Sequence, residues 1–165
     1  MGMDIHISIV KNKEYIAKEI FDGRNREWFD NLRERGNDYE YNHLPVEYYN
    51  RFPEEDTPLD LNIDKLEDDG YFDFRAIRVD KYIDWFEKYR PDKDAGWVTT
   101  YEKWQIENKG FIPDDIDHYL DPEANPADMH FIEIEKKYDC SKWLYNYLIN
   151  KDILLDAYII YYFDC

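Results

Sequence analysis

The chain has 165 residues, of which 38 are acidic and 21 basic, for a formal net charge of −17, and 18% of it is aromatic. Charge of this density favours disorder, but sixteen Tyr, nine Phe and five Trp can bury enough apolar surface to offset the entropy of ordering. A folded domain with so negative a field repels nucleic acid and anionic lipid and attracts basic partners, so direct nucleic-acid binding and membrane association are not expected.

The length predicts one domain, residues 1–165, with a single core. No stretch has the roughly 18 uninterrupted apolar residues of a membrane helix, and the opening Met1-Gly2-Met3-Asp4-Ile5-His6 is not a secretory signal. Cys140 and Cys165 make neither a disulfide framework nor a zinc site, and read as free thiols in a reducing cytoplasm.

Met3 to Val10 alternates, with Ile5, Ile7 and Ile9 on one side and Asp4, His6 and Ser8 on the other, which predicts a half-buried strand. Glu14 to Phe21 reads as its weaker hairpin partner, and Asp22 to Asn25 as a loop. Trp28, Phe29 and Leu32 have helical spacing within Arg26 to Arg35. Residues 37–61 form an acidic, aromatic-rich loop interrupted by prolines. Tyr71 to Val79 reads as a strand, and Lys81 to Tyr89 as a helix with an aromatic stripe ended by Pro91.

Thr99 and Glu102 form a capping box before a short helix that Gly110 closes. Residues 113–126 are a second acidic loop, and His130 to Lys136 is a weakly alternating strand. Asp139 or Ser141 caps a helix through Asn150, and Ile153 to Phe163 is an apolar strand buried on both faces. This order predicts an α+β fold: one antiparallel or mixed sheet, its N- and C-terminal strands central, with helices mainly on one face.

Four tracts then line up in order. They are Met1-Gly2-Met3-Asp4-Ile5-His6, Gly23-Arg24-Asn25-Arg26-Glu27-Trp28-Phe29, Gly96-Trp97-Val98-Thr99, and Ile159-Ile160-Tyr161-Tyr162-Phe163-Asp164. Together they resemble a family of small, uncharacterised bacteriophage and prophage proteins. Those begin Met-Gly-x-Asp-Ile-His, carry a Gly-Arg-Asn tract and a Ser-Trp-Leu-Thr segment, and end in an apolar strand followed by Phe-Asp. Two positions depart from that pattern. Trp28 stands at a usually hydrophobic or variable position, and Lys93-Asp94-Ala95-Gly96 stands where the family often has His-Ser before its Ser-Trp-Leu-Thr segment. The resemblance implies a phage origin and action in the host cytoplasm.

Asp4 and His6 share a strand face, about 7 Å apart by strand rise. With Arg24 and Asn25 they either line a polar pocket or form a structural cluster in which His6 orients on Asp4 and Arg24 pairs with a carboxylate. Trp97, or Trp28, would stack on a base, and Arg24, Arg26, Lys93 and Lys103 would supply local cations. The expected ligand-binding set is therefore Asp4, His6, Arg24, Asn25, Trp97 and Thr99, with no catalytic set, metal site or cofactor.

The leading reading is a counter-defence protein that acts by binding: a pocket that sequesters a small nucleotide-derived immune signal. The alternative is an acidic nucleic-acid mimic that inhibits a basic host protein of a DNA- or RNA-binding defence system, of anti-CRISPR or anti-restriction type. Its phosphate surrogates would be Glu54 to Asp56, Asp64 to Asp69 and Asp114 to Glu123. A third reading is a signal-cleaving enzyme with Asp4 and His6 as acid–base residues, and a fourth a phage housekeeping protein. Pairing of two copies is left open.

Overall fold

In a computed structural model, residues 4–24, 32, 52–114, 116–136 and 139–164 are described. Their order is β1 (Asp4–Lys11), β2 (Glu14–Arg24), α1 (Ile63–Asp68), β3 (Phe72–Arg78), α2 (Val79–Tyr89), β4 (Lys93–Thr99), α3 (Thr100–Lys109), a 3-10 turn (Pro126–Asp128), β5 (Met129–Glu135), α4 (Cys140–Asn150) and β6 (Tyr158–Asp164). The expected helix over Arg26 to Arg35 and most of the 37–61 loop lie outside the described residues.

The main sheet has the order β2-β1-β6-β3, and every neighbouring pair is antiparallel. The fold is α+β, and the first and last strands are the two central ones, as their apolar content predicts. Alternation sends Ile5, Ile7, Ile9, Ile159, Tyr161 and Phe163 to one face. There α2 contributes Val79, Tyr82, Trp85 and Phe86, and α4 contributes Leu144 and Leu148. Each fully buried isoleucine of β1 contributes about 1.5–3 kcal/mol relative to exposure. Tyr82 is also buried, and its hydroxyl donates to the Ser141 carbonyl at 3.0 Å.

The opposite face carries Val10, Ala76 and Ile160, packed under Phe52 and Leu61. The strap from Phe52 to Tyr71, which includes α1, therefore covers the side of the sheet that the long helices do not.

Four expectations need correction. The strand β2 does not stop at Phe21 but continues to Arg24, because its bulges around Glu19 (φ 48°) re-register it against β1. Gly23 and Arg24 are thus paired residues rather than a loop. The C-terminal strand begins at Tyr158, not Ile153; residues 151–156 turn, with Asp152 in the left-handed region (φ 49°). Lys93–Thr99 is an unexpected strand, and it pairs with β5 in a separate two-stranded sheet. Its small residues hide it: an added Cβ on Gly96 would lie 2.5 Å from the Asp117 carbonyl oxygen, so glycine lets loop 116–118 cross the strand. There the Trp97 N–H donates to the Asp117 carbonyl at 2.7 Å. This second sheet has its own small core of Val98, Ile116 and Ile134, flanked by Ile106 and Ile132, so the expected single core is in fact divided.

Candidate functional site

The polar face of β1 is where the sequence places Asp4 and His6, and the two do share it. Their partners come from other strands. Across β1 and β6, His6 pairs with Tyr162 and Asp4 with Asp164; across β1 and β2, His6 faces Asp22 and Asp4 faces Arg24. The His6 Nε2 lies 3.2 Å from Asp164 Oδ2, and its Nδ1 lies 3.5 Å from Asp22 Oδ1. The imidazole, 11% exposed, is therefore held between two carboxylates, neither of which is Asp4. Of the two contacts, the one from Nε2 to Asp164 has hydrogen-bond geometry.

Rings fix the plane of that imidazole. Tyr162 stacks on it at 5.2 Å and Tyr71 meets it edge-on at 5.4 Å, while Phe74 stacks on the far side of Tyr162 at 5.2 Å. A row of His6, Tyr162 and Phe74 thus crosses three strands. Burial, and then the charge of Glu19, push the Tyr162 phenol up to about 12. Ser8, further along the same face, accepts the Glu19 N–H at 2.8 Å, so its hydroxyl is engaged in the β2 bulge.

Arg24 donates from Nε to Asp4 Oδ1 at 2.6 Å, and its side chain is 63% exposed. The carboxylate partner expected for Arg24 is therefore Asp4 itself. Asn25 lies outside the described residues. Trp97 and Thr99 belong to the second sheet. The Trp97 ring meets Phe131 edge-on at 5.4 Å. Thr99 caps α3: its hydroxyl accepts the Glu102 N–H at 3.1 Å, and Glu102 Oε1 accepts the Thr99 N–H at 3.0 Å. The structure thus brings Asp4, His6 and Arg24 together, and it puts Trp97 and Thr99 on a different sheet in structural contacts of their own.

The acidic strap is the second feature. Residues 54–69 hold eight acids and one base, Lys65. The strap is held from beneath by Phe52, Leu61 and the buried Pro58. Asp56 takes the N–H groups at the β1–β2 turn, from Asn12 to its carboxylate at 2.8 Å and from Lys13 to its carbonyl at 3.2 Å. Leu59 points outward, and so do the acids: Glu54, Glu55, Asp60, Asp64, Glu67, Asp68 and Asp69 are all exposed. Six of the chain's bases are engaged with acids outside the strap. Lys11 pairs with Asp156, Arg78 with Asp80, Arg90 with Asp92, Lys93 with Glu133, Lys103 with Glu107 and Lys142 with Glu135. Sequence reasoning marks the acidic runs but not this sorting of charge, which depends on which strands and helices meet.

A cavity of about 390 Å³ lies between α2 and α4, lined by Phe86, Glu87, Arg90, Lys142, Tyr145 and Asn146. Its cations are already paired, and Phe86 and Tyr145 stack on each other at 4.3 Å. Among the described residues no three His, Cys, Asp or Glu side chains are placed to hold a metal ion, and no helix is long and apolar enough to cross a membrane. Comparison with protein families, with curated proteins and with solved structures finds no match to this chain.

Proposed function

We propose that this chain acts by binding the basic surface of a nucleic-acid-binding protein, taking the place that such a surface offers to phosphates. The observation that carries the reading is the strap: eight acids and one base over residues 54–69, anchored by apolar side chains and displaying carboxylates outward, on a chain of net charge −17. Carboxylates fixed on a folded scaffold attract a cationic channel without the ordering entropy a free acidic tail would lose. The phage resemblance fits a host defence protein as the target, so the reading is inhibition by occupancy rather than turnover.

The test is retention of host nucleic-acid-binding proteins on the immobilised chain at low salt. They should elute with rising salt or with competing duplex DNA, and the triple reversal Glu54→Lys, Glu55→Lys, Asp56→Lys should abolish retention. Retention indifferent to salt and to the reversal would overturn the proposal.

Sequestration of a nucleotide-derived signal remains a second reading, favoured by the exposed guanidinium of Arg24 beside Asp4. It requires that Arg24→Ala remove activity while reversals on the strap leave it intact.

A further inference from the structure

The helix α3 is unusual for a folded domain. It has ten residues and none is buried. Local signals hold it in place: the reciprocal Thr99–Glu102 capping box at one end and Gly110 in the left-handed region (φ 64°) at the other. Ile106 turns towards the small core of the second sheet. Tyr101 and Trp104, five and two residues earlier, fall on the opposite side of a 3.6-residue helix. Their rings stack at 6.3 Å with planes 16° apart, and they are 66% and 48% exposed. Two large aromatic rings stacked outward, on the side of the helix away from its packing residue Ile106, form a flat platform, and exposed apolar surface of this kind marks an interaction site.

Charge selects the occupant. Residues 93–135 hold eleven acids and three bases, so a second copy of this chain, a nucleic acid and an anionic bilayer are all repelled. The platform already faces a cation, since the Lys109 ammonium lies 5.7 Å from the Trp104 ring centre. Glu107, 59% exposed, sits one turn from Lys103, at 3.8 Å, on the flank of the same helix. Aromatic faces with one carboxylate, Glu107, at their edge suit a guanidinium above all, because it stacks flat and still forks to a carboxylate, which an ammonium does not.

We propose that Tyr101 and Trp104 are the docking platform for an arginine-bearing segment of the basic partner. This rests on the reading of the chain as a binder of basic surfaces, and it adds what would discriminate among them. The strap supplies long-range attraction indifferent to which cation approaches, and the platform supplies preference for arginine over lysine.

The test is calorimetric titration of the intact chain with two synthetic peptides of equal length and charge, one an Arg-Gly repeat and one a Lys-Gly repeat. The Arg-Gly peptide should bind more tightly, and Tyr101→Ala with Trp104→Ala should weaken it about tenfold while leaving the Lys-Gly affinity within about twofold. Circular dichroism checks the fold of the variant, and the comparison of the two peptides on the unmodified chain needs no variant. Equal affinity for the two peptides, or an arginine preference that survives the double substitution, would overturn the platform and leave the acidic-binder reading standing. Binding of neither peptide at low salt would overturn that reading, and the platform with it.

Discussion

Arg90 and Asp92, two residues apart beyond the end of α2, face each other in a fork. Arg90 Nε donates to Asp92 Oδ1 at 2.9 Å and Nη2 to Oδ2 at 2.8 Å. The carboxylate is 1% exposed and has Lys142 Nζ at 3.8 Å as a second cation. Burial pushes the Asp92 carboxyl up, but the hydrogen bonds and charge of Arg90, with Lys142, more than offset it and leave it below its ordinary value.

Arg90→Ala leaves that buried carboxylate with Lys142 as its nearby cation, and we expect a loss of about 2–3 kcal/mol in denaturant unfolding. The sign of the pH dependence follows from the lowered value. The Asp92 contribution is fully present above 3.8, the value of the free carboxyl, and is lost as pH falls through the folded value beneath it. The Arg90 variant should therefore show a weaker acid-side dependence of stability than the parent chain.

Tyr162 titrates in the alkaline range. Its phenol, pushed up to about 12, keeps its proton in the folded chain while the unfolded chain loses it near 10. Stability should fall as pH rises above 10, and Tyr162→Phe should remove part of that fall. Ultraviolet titration of the folded protein should show a phenol ionising near 12 that the variant lacks.

Thr99→Ala separates a capping role from a ligand role. It removes one half of the reciprocal pair with Glu102 and should cost about 1 kcal/mol of stability. Thr99→Ser, which keeps the hydroxyl, should restore it. Loss of binding without loss of stability in Thr99→Ala would instead place Thr99 in a ligand site.

The legible part of this chain is that which depends on near neighbours. Ile5, Ile7 and Ile9 alternate with Asp4, His6 and Ser8, and their faces follow. Thr99 and Glu102 stand three apart and form the box that this spacing predicts. Asp139 caps α4, its side chain accepting the Lys142 N–H at 3.0 Å. The strand β4 is illegible because its apolar pattern is broken by Asp94, Ala95 and Gly96, and the small size of Gly96 serves a loop that arrives some twenty residues later.

The candidate site divides in the same way. The sequence by itself determines that the chain is strongly acidic, that its ends form apolar strands, and that Asp4 and His6 share a face. Each of these is a property of composition or of a two-residue period. Only the tertiary structure decides that His6 meets Asp22 and Asp164, that Arg24 turns back on Asp4, and that Trp97 and Thr99 belong to another sheet. Those pairings depend on strand order and on the bulges that shift register between β1 and β2. A one-residue slip there would put every later side chain opposite a different neighbour without altering the pattern of the strand itself.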